Sequence, residues 1–287
     1  MMNRRRFITV SAAALVAAPA NASPMRWTGQ AMGADVSLVL EGGTKADLAA
    51  AIAEIRAAEA RFSIYDRNSE LSRINALGES SLSPAMSELL LLCDEVHRTT
   101  EGLFDPTIQP VFRALFEGKT PPWHLVGWDR LSLGPNGIQL ANGQALTLNG
   151  IAQGFATDRV RQLLEARGYT RALVSVGEQA AIGGPFRLAL EDPTHGRVAT
   201  RSLTNRAIAT SSPGALMLGG QTHVFDPRGM EQTLWSTVSV EAENAALADG
   251  LSTALCLAPR DQVARIIRTT GTRATLVDTL GDVVTLG

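Results

Sequence analysis

The sequence predicts an α+β fold with mixed, mostly antiparallel sheets and packed helices. Strand-like and helix-like segments are interspersed without the steady βαβ rhythm of a doubly wound parallel sheet. Between residues 118 and 149 the runs PPW, GPNG and ANG mark tight turns around short strands, as antiparallel pairing requires. No tandem repeat or low-complexity block is visible past the N-terminal segment, which leaves a single compact unit as the expected architecture.

The elements follow in order. Residues 32–40 (MGADVSLVL) alternate as a strand does, and residues 45–62 carry the Ala-, Glu- and Arg-rich pattern of an amphipathic helix. Residues 63–75 are polar and read as a loop. Residues 84–99 read as a second helix, with Ser83 as its cap and Pro84 in the first turn. Short strands are expected at 130–133, 137–141 and 145–148, then a helix over 150–167. Strands follow at 171–176, 186–191, 207–210, 223–225 and 236–240, with helices at 244–257 and 261–268. A hairpin around Leu280-Gly281-Asp282 closes the chain over 274–286.

Residues 1–22 (MMNRRRFITVSAAALVAAPANA) hold three arginines, a modestly apolar stretch and a small-x-small site ending at Ala22. The apolar stretch is well short of the ~20 residues a spanning helix needs, so the segment reads as a cleavable signal peptide. Arg4-Arg5-Arg6-Phe7-Ile8 fits the twin-arginine export pattern, and an ordinary secretory signal is the alternative. Either route places the mature chain in the periplasm, the twin-arginine route after folding. Cleavage removes Arg4, Arg5 and Arg6, shifting the formal net charge from −2 to −5. A mildly acidic chain without basic runs is poorly suited to nucleic acid or an anionic membrane surface. Residues 23–287 are enough to bury a substantial core as one domain. Cys93 and Cys256 lie in apolar helical stretches without a CxxC, which favours two buried free thiols; an oxidising compartment would permit a disulfide if they met.

The run ADGLSTALCL at 248–257 puts Asp249 and Thr253 four residues apart in a small-residue, apolar helix. An i, i+4 pair shares one helix face, so a carboxylate and a hydroxyl converge as two hard oxygen donors of the kind Mg²⁺ takes. An Asp in this position also serves as an N-terminal residue complementing the helix dipole.

Further signatures occur in one order: Met32-Gly33; Phe62-Ser63-Ile64-Tyr65 with Ser69-Glu70-Leu71-Ser72-Arg73-Ile74-Asn75; Gly102-Leu103-Phe104-Asp105-Pro106-Thr107; TLNGIAQGFATD at 147–158; Ala209-Thr210-Ser211-Ser212; His223-Val224-Phe225-Asp226-Pro227-Arg228; and Asp249 to Thr253. Together they resemble the ApbE family of FAD:protein FMN transferases over nearly the whole of residues 23–287. The TLNGIAQG form and the twin-arginine start are most similar to its NosX-like branch, which accompanies nitrous-oxide reductase maturation.

The resemblance implies a T-fold-related catalytic unit that cleaves FAD at its pyrophosphate, joins FMN through a phosphoester to a Thr or Ser of an acceptor flavoprotein, and releases AMP. The branch nominates a membrane-bound electron-transfer protein as that acceptor. For Mg²⁺ it implies the side chains of Asp249 and Thr253 and backbone carbonyls at Gly150 and Ser252. Gly150 otherwise marks a plain helix start, and the amides that follow it are candidates to face a phosphate. For FAD it implies Met32, Tyr65, Leu103, Phe104, Asp105, Thr147, Gln153 and Val224, with Tyr65 and Phe104 offering ring faces and Asp105 accepting hydrogen bonds. His223 is the implied base, or else a hydrogen-bonding partner of the flavin or of its own turn.

Two departures from the family pattern stand out. Thr147 to Gly154 reads TLNGIAQG where the family commonly has Asp-Leu-Gly-Gly-Ile-Ala-Lys-Gly, so an acid and a cation are both replaced by neutral residues. Val176-Gly177-Glu178-Gln179 stands where relatives show Gly-Gly followed by Asp or Asn. Two other activities are compatible with the same residues: hydrolysis of FAD to FMN and AMP, and non-catalytic flavin carriage by a periplasmic assembly factor.

Overall fold

The computed structural model describes residues 24–218, 220–229 and 233–287, so the signal segment expected over 1–22 lies outside the described residues. Eight strands form one sheet: β1 (Met25–Ala31), β2 (Ala34–Leu40), β3 (Ala172–Val176), β4 (Glu178–Ile182), β5 (Ala207–Ser211), β6 (Thr237–Ala242), β7 (Arg273–Val277) and β8 (Val283–Leu286). Their spatial order is their chain order, and every neighbouring pair is antiparallel. The sheet is therefore a meander interrupted by four excursions, and the α+β class is the one observed.

The first excursion, between β2 and β3, carries α1 (Lys45–Phe62), α2 (Glu70–Leu77), α3 (Pro84–Thr99), α4 (Gln109–Phe116) and α5 (Ala152–Ala166). The second is a separate hairpin, Phe186–Asp192 paired with Gly196–Leu203. The third, between β5 and β6, holds the short hairpin of Met217–Leu218 with Gln221–Thr222, and the fourth, between β6 and β7, holds α6 (Ala245–Leu255) and α7 (Arg260–Thr270). Strand alternation separates the two faces. Leu38, Leu40, Val174, Val176, Ala209 and Val240 join the large core shared with the helices, while Val39, Leu173, Ala181 and Ile208 pack against Phe186, Leu188, Leu190 and Leu203 of the hairpin. Cys93 and Cys256 are buried free thiols, as expected. No helix among the described residues is long and apolar enough to cross a membrane.

Several elements differ from the sequence expectation. The strand expected over 32–40 is the second arm of a hairpin whose turn is Met32-Gly33, with φ of +53° and +78°; these are the left-handed backbone conformations by which a two-residue turn matches the right-handed twist of its strands. β1 was not among the expected strands, although MRWTGQA alternates half-buried and exposed residues as a half-exposed edge strand does. The loop expected at 63–75 holds the start of α2, which Ser69 caps by accepting the Ser72 amide. Helix α4, strand β4 and the strand Gly196–Leu203 were not expected, and 145–148 and 223–225 are not strands.

Helices α5 and α6 lock each other at their N-termini. Asp158 of α5 accepts the amides of Ala245 and Ala246 at 2.9 and 2.8 Å, and Asp249 of α6 accepts the amide of Gly154 at 3.0 Å. Each carboxylate satisfies orphan donors of the other helix and lies near its positive end. Replacing Asp158 with Ala is expected to cost about 2 kcal/mol, through two unpaired amides and a lost dipole contact. Urea titration with an unchanged m-value checks this; a loss under about 0.5 kcal/mol would contradict it.

Candidate active site

Helix α6 begins at Asn244, whose side chain accepts the Leu247 amide, and this start sets Asp249 and Thr253 on the face turned toward α5. Asp249 is 4% exposed and Thr253 is half-buried. Gly150, just ahead of α5, lies so near Thr253 that a Cβ there would stand 2.9 Å from Thr253 Oγ1. Only glycine permits that approach. Gly150, Asp249 and Thr253 are thus brought together at one place.

The Ser252 hydroxyl is engaged within the protein. It donates to the Asp249 carbonyl at 3.0 Å and meets Ser211 Oγ at 2.7 Å, while the Ser252 carbonyl accepts from Cys256 Sγ. Ser211 Oγ also reaches Thr253 Oγ1 at 3.3 Å, so the end of β5 supplies a hydroxyl beside the pair on α6. The amides opening α5 are largely taken: those of Ile151 and Ala152 donate to the Leu148 carbonyl, and that of Gly154 to Asp249. The phosphate contact expected of this helix start therefore finds these donors already engaged by the protein.

The electrostatics suit a cation. Burial pushes the Asp249 carboxyl up to about 7, against the lowering effect of the Gly154 amide. Glu178, at the start of β4, is raised well above the usual carboxylate range by burial and by the charge of Asp249. No Lys, Arg or His forms an ion pair with either among the described residues. Two buried acids without a cation are costly unless protonated or bound to a metal. Among the described residues no three His, Cys, Asp or Glu side chains converge, so a metal here would be held by carboxylate, hydroxyl and carbonyl oxygens together. That donor set suits Mg²⁺ rather than a softer ion.

The residues expected around the flavin divide into four groups. Met32 and Gln153 are joined directly: Gln153 Nε2 donates to the Met32 carbonyl at 3.0 Å, and the Met32 amide donates to Glu59 Oε1 at 3.0 Å. Tyr65 is 44% exposed and hydrogen-bonds Asn149; its hydroxyl is raised by burial, with Asn149 opposing. Thr147 is half-buried nearby, its hydroxyl accepting the Asn149 amide at 3.3 Å. Leu103, Phe104 and Val224 are buried in the main core, so Phe104 does not present the open ring face expected of it. Asp105 lines a cavity of about 440 Å³ with His97, Arg98, Trp128 and Arg228. Its carboxylate already accepts from the Thr107 amide and hydroxyl and from the Trp128 amide, which makes it an organiser of its own loop.

His223 is half-buried. Its Nδ1 lies 3.0 Å from the Pro213 carbonyl and 3.3 Å from the Leu216 carbonyl. Carbonyl oxygens only accept, so Nδ1 carries the proton and Nε2 keeps a lone pair. Burial lowers the imidazole's pKa, with the two carbonyls opposing, and the ring is neutral at pH 7. The ring therefore keeps Nε2 as its unprotonated nitrogen.

The ApbE family model matches residues 32–276, which include every one of these positions. The chain belongs to the ApbE family. It is 28% identical over 245 residues to the FAD:protein FMN transferase of Haemophilus influenzae, covering 72% of this chain and 71% of the relative. It is 30% identical to the FAD:protein FMN transferase of Rhodobacter capsulatus, covering 72% of this chain and 46% of the relative. The fold matches the apo flavinyl transferase ApbE of Pseudomonas stutzeri with a TM-score of 0.79 at 24% identity, over 91% of this chain and 93% of the other. It matches the ApbE protein of Thermotoga maritima with a TM-score of 0.83 at 22% identity, over 92% and 97%.

Within this ApbE-family chain, the residues that depart from the common pattern have assignable contacts. Gln153 ties the β1–β2 turn to α5 without a charge, and the Thr147 amide donates to the Pro106 carbonyl. Glu178, Ser211 and Asn149 also contact this set of residues, although sequence reasoning assigned none of them a role. Their signals were present in VGEQ, ATSS and TLNG, but the contacts join segments tens of residues apart.

Proposed function

We propose that this chain is an Mg²⁺-dependent FAD:protein FMN transferase that acts on a Thr or Ser hydroxyl of an acceptor flavoprotein and releases AMP. The observation that carries the reading is the meeting of Asp249, Thr253 and Gly150 around a buried acid in an ApbE-family chain. Relatives named for this activity match over most of the chain and support it.

Asp249, Thr253 and the Gly150 carbonyl would hold the metal. When bound, Mg²⁺ supplies positive charge against the pyrophosphate oxygens of FAD. The chain's own groups do the rest. Tyr65, Thr147 and the Met32–Gln153 turn would border the flavin side, and Asp105 organises the loop that lines a cavity of its own. His223 Nε2 takes the proton from the acceptor hydroxyl as its oxygen bonds to the FMN-side phosphorus. The bond from that phosphorus to the bridging oxygen breaks, and AMP departs with the bridging oxygen. We further propose that the chain is exported by the twin-arginine route to the periplasm. There, as a NosX-like member, it would serve a membrane-bound electron-transfer partner in nitrous-oxide reductase maturation. The signal residues and the TLNGIAQG motif support this placement.

The test is intact-protein mass spectrometry of an acceptor flavoprotein domain incubated with residues 23–287, FAD and Mg²⁺, beside a chelator control and an acceptor lacking its Thr. A metal- and Thr-dependent gain of one FMN phosphoester is expected. Free FMN without acceptor labelling would favour hydrolysis, and intact FAD would favour flavin carriage.

His223 adds a pH prediction. Its pKa lies below the usual 6.5, so the base form persists through pH 7 and is lost only as pH falls through the lowered value. With Mg²⁺ saturating at every pH, so that Asp249 stays ionised, the transfer rate should hold at neutral pH and fall as pH drops through the lowered His223 value. His223→Gln should lower it about a hundredfold and abolish this acid limb. An unchanged rate in the variant would remove His223 from the reaction.

A further inference from the structure

We propose that Glu178 is a second acidic group of the divalent-cation site, acting with Asp249 on the same ion; the proposal rests on the metal reading above.

The argument is a closed circuit of contacts. Glu178 is 8% exposed and accepts the Thr210 amide on Oε2 at 3.0 Å. The next residue along β5, Ser211, places its hydroxyl against Ser252 and Thr253. On the other side, Gly177 holds φ at +84° and packs so tightly on Gln153 that any Cβ would collide with its amide. The residue after Gln153 is Gly154, whose amide donates to Asp249. Thr157, one turn further along α5, fastens the same β3–β4 turn by donating to the Glu178 carbonyl at 3.1 Å and accepting the Val176 amide at 3.2 Å. From Glu178 the circuit thus reaches Thr253 through β5 and Asp249 through α5, and the side chain it holds is an acid that senses the Asp249 charge.

An acid placed there has no structural use that a neutral residue would not serve better. Glutamine would accept the Thr210 amide equally well and would not crowd a second negative charge beside Asp249. The carboxylate is explained by a cation, which turns the repulsion of two buried acids into a shared attraction.

The test is titration of the signal-free chain with MnCl₂, followed by the electron paramagnetic resonance signal of free Mn²⁺, without and with FAD. The parent should bind Mn²⁺, and Glu178→Gln should bind it at least tenfold more weakly while the metal-free Tm stays unchanged or rises. Glu178→Asp keeps the charge and should bind more tightly than the Gln variant. Parent-like affinity in Glu178→Gln, or equal affinities in the Gln and Asp variants, would overturn the role of Glu178. If the parent binds no Mn²⁺ even with FAD, the metal reading itself fails and this proposal with it. If Asp249→Asn alone loses Mn²⁺, the metal reading stands and only Glu178 is excluded.

Discussion

Asp249→Ala is expected to abolish metal-dependent FMN transfer, with a loss of at least ~10³-fold, equivalent to about 4 kcal/mol of transition-state stabilisation. Asp249 is the one carboxylate in the convergence of Gly150, Asp249 and Thr253, and removing it takes from that convergence its only charged donor for a strongly hydrated ion. The fold should survive. Alanine leaves the Gly154 amide unpaired, at a cost of about 1–3 kcal/mol, but relieves the repulsion with Glu178. Asp249→Asn, which keeps an acceptor for that amide, separates the two effects and should be as inactive as the Ala variant with a Tm closer to the parent. The measurement is initial rate of acceptor labelling across an Mg²⁺ series, with a melting curve for each variant. Parent-like turnover in either variant would refute the site.

What the sequence disclosed and what it withheld follow from the range of the interactions. Helices α1 and α3 were legible because their signals are local: Thr44 and Ser83 cap them, and their apolar faces repeat at helical spacing. The Asp249 and Thr253 pair was legible for the same reason, since an i, i+4 spacing on one helix is local geometry. Strand β4 was missed because EQAAI is buried along its whole length and so lacks the alternation of a half-exposed strand. Helix α4 was missed because it spans only eight residues after a Pro-led turn. At the site, Glu178 looked like a lost glycine. Its meaning depends on Asp249, 71 residues away, and on the Thr210 amide that orients it. Phe104 failed in the opposite direction: a motif position suggested a ring face, and tertiary packing buried it.

Gly154→Ala is expected to destabilise the protein by about 3 kcal/mol, although the same change inside an ordinary helix stabilises by up to ~1 kcal/mol. The reversal comes from the contact between α5 and α6. A Cβ at 154 would fall well inside contact distance of the Ala245 carbonyl and of Ala246 Cα, both backbone. Neither can swing away as a side-chain tip would, because Asp158 pins the amides of Ala245 and Ala246. The helices must therefore separate, and that draws the Gly154 amide off Asp249 and loosens the site along with the fold. At about 2–4 °C per kcal/mol for a chain of this size, Tm should fall by roughly 6–12 °C. Gly134→Ala is the control: a Cβ there meets open space and its φ is not left-handed, so the change should stay within about 0.5 kcal/mol. A Gly154→Ala protein that melts with the parent would show that α5 and α6 yield easily. In that case the reciprocal capping by Asp158 and Asp249 would not be what holds the site together.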